Sequence, residues 1–257
     1  MKNQAITKFL VLFTFVAMVG ANALANILPI NGITTGAVSD SYPNLFAPAG
    51  YTFAIWGVIY LALAFAVVRL LFQKDPQFEF VSRWFIISNL ANTAWIFAWH
   101  YRLIAITTLL IIVVLYSVLK IVFRLYAGEN RLFGISQRLP YEIYGGWLLV
   151  ATVANITTLL VDSGFSGFGI SEVIWMLLIL AVAWLIVSAT VVRLRSFGIG
   201  LVLLWAYGGI YSKHISSNPG FENAYPSVVF TVVGLMILMM ILMFILIGKE
   251  KRNKMFK

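Results

Sequence analysis

The chain has 257 residues, 61% of them hydrophobic and 11% charged, with a formal charge of +9 and no cysteine. A soluble domain carries about a quarter charged residues, so a water-soluble fold is excluded. The missing cysteine excludes a disulfide framework, thiol chemistry and any cysteine-based metal centre.

Mean hydropathy is +0.95, and the apolar residues fall in blocks of about 20, the length a helix needs to cross ~30 Å of hydrocarbon. The short alternating segments of a membrane β-barrel do not occur. The expected fold is all-α: a polytopic transmembrane helix bundle of about eight spans. In chain order they lie near residues 9–30, 48–71, 84–100, 103–123, 140–161, 172–192, 197–212 and 227–248.

The first span opens on a basic segment and reaches an Ala-x-Ala sequence at Ala25, as a secretory signal does. Its apolar character continues through "NILPI", long enough for a span that is retained. The third contains "NLANTAWIFAWH" (Asn89–His100), and a tight turn at 101–102 leads into the fourth. The fifth begins at Pro140, with Glu142 in the expected first turn, where the helix dipole favours a carboxylate. An ion or proton role for Glu142 is the alternative. The seventh span is short and carries Gly198, Gly200, Gly208 and Gly209, and the basic tail "GKEKRNKMFK" reads as a stop-transfer anchor.

Eight crossings from an inside N-terminus put 16 lysines and arginines on one side and two, Arg102 and Lys213, on the other. Basic residues accumulate on the cytoplasmic side, so both termini are expected in the cytoplasm, with a multi-pass location in the cell membrane. The charge then has no need of a nucleic-acid partner. Residues 1–162 form an expected five-helix membrane domain, and residues 163–257 add three helices and the basic tail.

Neighbours on one helix face lie three, four and seven residues apart. Phe53, Trp56 and Tyr60 repeat that spacing in the second span, Asn92, Trp95 and Trp99 in the third, and Tyr144, Trp147, Ala151 and Asn155 in the fifth. At ~1.5 Å per residue the three stripes reach matching depths, so they can line one shared cavity. Trp56, Trp95 and Trp147 lie too deep for an interfacial aromatic belt. Helix packing with asparagine as polar glue is the alternative, and spacing does not choose between them. His100 and His214 are the only histidines. They are too few for a metal site without other ligands, and both are expected to face water near one interface. No nucleophile–base pair or phosphate-binding loop is present, so no enzyme activity is expected.

"FAPAGYTFAIWGVIY" (Phe46–Tyr60) resembles the second helix of the translocator protein / tryptophan-rich sensory protein (TspO/MBR) family, at Phe46, Pro48, Phe53, Trp56 and Tyr60. "NTAWIFAW" is similar to the third-helix Asn-x-x-Trp of that family, at Asn92 and Trp95, and "YGGWLLVATVAN" to its fifth-helix pattern, at Tyr144, Trp147 and Asn155. Ala47 and Ile143 stand where the family has proline, and the last three spans have no counterpart in its five-helix core.

The resemblance implies a pocket among helices 1, 2, 3 and 5, covered by the long first loop at residues 31–47. It implies a porphyrin or other tetrapyrrole as the ligand, with no cofactor required. The expectation is an intramembrane receptor or carrier with a sensing or trafficking role. Its partners are the lipid bilayer and a hydrophobic small-molecule ligand. A homodimer through the last three spans stays open. The rival is a small-molecule transporter or channel using all eight helices, with Glu142 coupling ions.

Overall fold

The computed structural model describes residues 2–72, 78–126, 135–217 and 220–255. Every regular element among them is helical. Hydrocarbon offers no water to bond exposed backbone, and a helix satisfies its own N–H and C=O groups. Eight helices are long: α1 (Lys2–Ile27), α3 (Ile55–Phe72), α4 (Phe78–His100), α5 (Ile104–Tyr126), α6 (Ile135–Asp162), α7 (Glu172–Leu194), α8 (Phe197–Ile215) and α9 (Pro226–Met255). The short α2 (Thr35–Asp40) lies in the first loop, and a 3-10 turn over Gly50–Ala54 leads into α3.

Among the described residues six helices are long and apolar enough to cross a membrane: α1, the turn with α3, α5, α6, α7 and α9. The other two are α4, with 23 residues, and α8, with 19. The polar groups Ser82, Ser88, Asn89, Asn92 and His100 of α4 are all buried, so its composition records an inward face.

The turns are built from identifiable caps. Arg102 takes a left-handed conformation between α4 and α5 (φ +56°), and the Leu103 N–H bonds the Ala98 carbonyl at 2.9 Å, a Schellman-type stop. Gly164 repeats the device after α6, with Phe165 N–H on Leu160 O at 3.0 Å. Ser171 and Ser196 cap α7 and α8 by accepting from the N–H groups of Ile174 and Ile199. Pro226 opens α9, where its missing N–H costs nothing.

Packing runs α1 to α4, α4 to α5 and α5 to α6, while α6 also meets α3, α7 and α8, and α8 meets α7 and α9. Thus α6 is the hub, with 61% of its spanning window buried against 22% for α9. Two small residues allow α8 to approach closely. A methyl group on Gly146 would lie 3.1 Å from Ile199 Cα, and one on Gly209 would strike the Thr52 side chain.

As α1 does at Lys2, α4 and α6 start earlier than their apolar runs suggest, at Phe78 and Ile135. Both continue past the apolar block, where hydropathy no longer marks the helix. Pro140 therefore sits inside α6, in its second turn, where proline supplies no N–H for the Ser136 carbonyl. Lys74, Arg131 and Lys257, three of the 16 basic residues expected on the cytoplasmic side, lie outside the described residues.

Candidate ligand site: an aromatic cavity under the first loop

The amides of α4 are spent on joining helices. Asn89 Nδ2 donates to Thr14 Oγ1 on α1 at 3.2 Å. Asn92 Oδ1 accepts from Asn22 Nδ2 of α1 at 2.8 Å, and Asn92 Nδ2 donates to the Tyr144 hydroxyl of α6 at 3.2 Å. One turn on, Trp95 Nε1 donates to Asn155 Oδ1 at 2.9 Å. The Asn155 amide in turn donates to Thr107 Oγ1 and Thr108 Oγ1 of α5 at 3.0 and 2.9 Å. Trp99 Nε1 donates to the Thr35 carbonyl in the first loop at 3.1 Å. Asn92 and Asn155 thereby use both ends of their amides inside the bundle, as a polar group in hydrocarbon requires, while Asn89 Oδ1 is buried without a partner.

The rings gather above this layer. Trp95 and Trp99 stack with centroids 5.3 Å apart. Trp147 meets Phe53 and Trp56 edge-on, each at 6.2 Å. Between these groups lies a cavity of about 50 Å³. Seven residues of the three stripes line it: Phe53, Trp56, Trp95, Trp99, Trp147, Ala151 and Asn155. The other three sit one layer deeper and do not reach it. Tyr60 stacks on Trp56 at 5.6 Å, Tyr144 is fully buried, and Asn92 is occupied as described. Glue and cavity are both realised, at adjacent levels.

Helix periodicity could not show the remaining walls. The first loop supplies Thr35, Ser39, Asn44, Phe46, Ala47 and Pro48, and α8 supplies Ala206 and Ile210. Phe46 and Pro48 carried a residue-level signal through the resemblance, which also implied that the loop at residues 31–47 covers the pocket. The loop is held down by α8. Ala49 N–H bonds Gly209 O at 3.0 Å, and Trp205 Nε1 bonds Thr52 O at 2.9 Å. Lys213 pairs with Asp40 at 3.2 Å, and His214 Nε2 donates to Leu45 O at 3.0 Å.

Two polar atoms in the cavity wall have no protein partner, Trp147 Nε1 and Thr35 Oγ1. An unpaired buried N–H costs roughly 1–3 kcal/mol, so these are the groups that gain from a polar atom brought by a ligand. As it stands the cavity is small. Its 50 Å³ holds about two waters at ~30 Å³ each, against ~300–1,000 Å³ for ordinary small-molecule sites. A larger ligand requires a wall to move.

Three sequence readings need correction. His100 does not face water. It is fully buried, with Nδ1 on the Ile96 carbonyl at 2.7 Å. His214 is also fully buried, against Phe221 and Tyr225. Both lie near helix ends, but the loops fold back over them. Glu142 does not serve the start of its own helix, which begins two turns earlier. Its carboxylate accepts from Tyr126 Oη at 2.5 Å, Ser196 Oγ at 2.7 Å and Gly198 N–H at 3.3 Å, and so caps α8 from α6. Among the described residues no three His, Asp or Glu side chains gather to hold a metal.

A family model described as TSPO-like protein matches residues 8–246, running through the first five long helices and on into the last three. Among curated proteins and solved structures none matches.

Proposed function

The chain belongs to the TSPO-like family, and we propose that it binds a hydrophobic planar ligand, a tetrapyrrole above all, on the indoles of its aromatic cavity. The site serves sensing or trafficking, and no bond-making chemistry is needed for it. The protein sits in the cell membrane with eight crossings and both termini in the cytoplasm, the arrangement that separates its basic residues 16 to 2.

One observation carries the reading: four tryptophans of three helices converge on one cavity, whose Trp147 N–H has no protein partner. Flat apolar rings stack on indole faces, and a few convergent polar groups fix orientation.

The test is a titration of the purified protein with protoporphyrin, followed by quenching of tryptophan fluorescence. Trp95→Ala and Trp147→Ala each remove an indole wall and are expected to weaken binding about tenfold, or ~1.4 kcal/mol. Trp147→Phe keeps an aromatic ring while removing the unpaired donor and part of the indole surface, so it weakens binding less. Saturable binding untouched by all three changes would remove the cavity as the site.

A further inference from the structure

The aromatic cavity has one thin wall. Asn44 and Phe46 line it, and both also line a second cleft of about 290 Å³. This cleft lies where the C-terminal end of α6 meets the N-terminal end of α7. Its other walls include Thr157 of α6, Phe165 of the turn, and Trp175 and Met176 of α7. It is aromatic as well: Phe165 meets Trp175 edge-on at 5.8 Å. The Trp175 N–H is occupied by the Gly167 carbonyl at 2.9 Å, so the indole is fixed in place.

We propose that cavity and cleft are two compartments of one ligand site, with the Phe46 side chain as the movable partition. This rests on the ligand reading above and extends it. The cavity alone is too small for a tetrapyrrole, while the two compartments together reach the lower end of the ~300–1,000 Å³ range of small-molecule sites.

The loop backbone is the costly part to move. Asn44 Nδ2 donates to Tyr42 O at 2.9 Å, and Phe46 N–H donates to Asn44 Oδ1 at 3.1 Å. Leu45 O is held by His214, Ala49 N–H by Gly209 and Thr52 O by Trp205. Lifting the loop breaks the last three of these, its bonds to α8. Turning the buried Phe46 ring breaks none, because a phenyl group neither donates nor accepts a hydrogen bond. The cleft also constrains which part of the ligand enters it. Glu172 lines the cleft, and a carboxylate beside it would be repelled. The ligand therefore places an uncharged edge there and keeps its acidic groups elsewhere.

The experiment uses the full chain in nanodiscs with protoporphyrin, after the melting temperature of each variant has been recorded. Thr157→Trp and Met176→Trp each fill the cleft without touching the indole cavity. Both are expected to weaken binding at least tenfold and to slow association. Phe46→Ala removes the partition and is expected to tighten binding and speed association. Wild-type affinity and rate in both cleft-filling variants would overturn the two-compartment site, whatever Phe46→Ala does, and would leave the indole cavity standing. If the wild-type chain does not bind protoporphyrin, the functional reading fails, and this inference falls with it.

Discussion

Asn155 is the strongest test of how the bundle is held around its cavity. Replacement by leucine keeps the volume close and removes three hydrogen bonds that tie α6 to α4 and α5. Thr107 and Thr108 lose little, since each hydroxyl keeps its own bond to the Ile104 carbonyl at 2.7 and 3.0 Å. Trp95 loses its only hydrogen-bond acceptor, and an orphaned buried N–H costs roughly 1–3 kcal/mol. The bonds to the threonines add part of the ~0.6–2 kcal/mol typical of polar contacts between membrane helices. The leucine recovers little, because lipid is as apolar as its new surroundings. The net loss is about 2–3 kcal/mol, and at about 2–4 °C per kcal/mol for a chain of this size the melting temperature falls by about 4–12 °C. Thermal unfolding in detergent, followed by circular dichroism, measures it. An Asn155→Leu protein that melts with the wild type would show that the amide carries no load, and the account of the bundle would fail.

Other expectations concern α8 and its docking. Glu142→Gln keeps one acceptor but turns an amide towards the Ser196 hydroxyl and the Gly198 N–H. Losing one charge-assisted bond costs about 1.5–3 kcal/mol, and hydrogen exchange at the start of α8 should rise. Unchanged exchange there would refute the capping role. Burial holds His214 below the ordinary imidazole value of 6.5, against a smaller opposing effect of its bond to Leu45. The fold thus favours the neutral ring. Its contribution is complete above the unfolded value of about 6.5 and drains away as the pH falls through 6.5 towards the lowered folded value. The melting temperature should drop between about pH 7.5 and about pH 5, and drop less in His214→Gln. Equal drops would contradict it.

Apolar blocks overlap the eight long helices among the described residues, though the block at α8 was kept for the charge pattern, and the three-and-four spacing of indoles found four tryptophans that share a cavity. Both signals are local: they need only a helix and a lipid-facing or inward side. The rest depends on what one helix meets on another. Nothing in the spacing of Asn92 distinguishes a bond to Asn22 and Tyr144 from a place in the cavity wall. Periodicity is silent on the first loop, which supplies six lining residues from Thr35 to Pro48. Glu142 read as a local cap because its partners Ser196 and Gly198 are more than 50 residues away in the chain. The histidines read as water-facing from their places at helix ends, whereas packing of the connecting segments covers them. Cavity size depends on side-chain packing, which no stripe of residue types reveals.

The central claim is that a planar ligand rests on Trp56, Trp95, Trp99 and Trp147. Fluorine NMR of the chain labelled with 5-fluorotryptophan and titrated with protoporphyrin tests it directly, because the ring current of a stacked tetrapyrrole moves the resonances it covers. The account predicts saturable shifts at those four positions and none at Trp84 or Trp184. Shifts confined to Trp84 and Trp184, with the four cavity signals still, would contradict it.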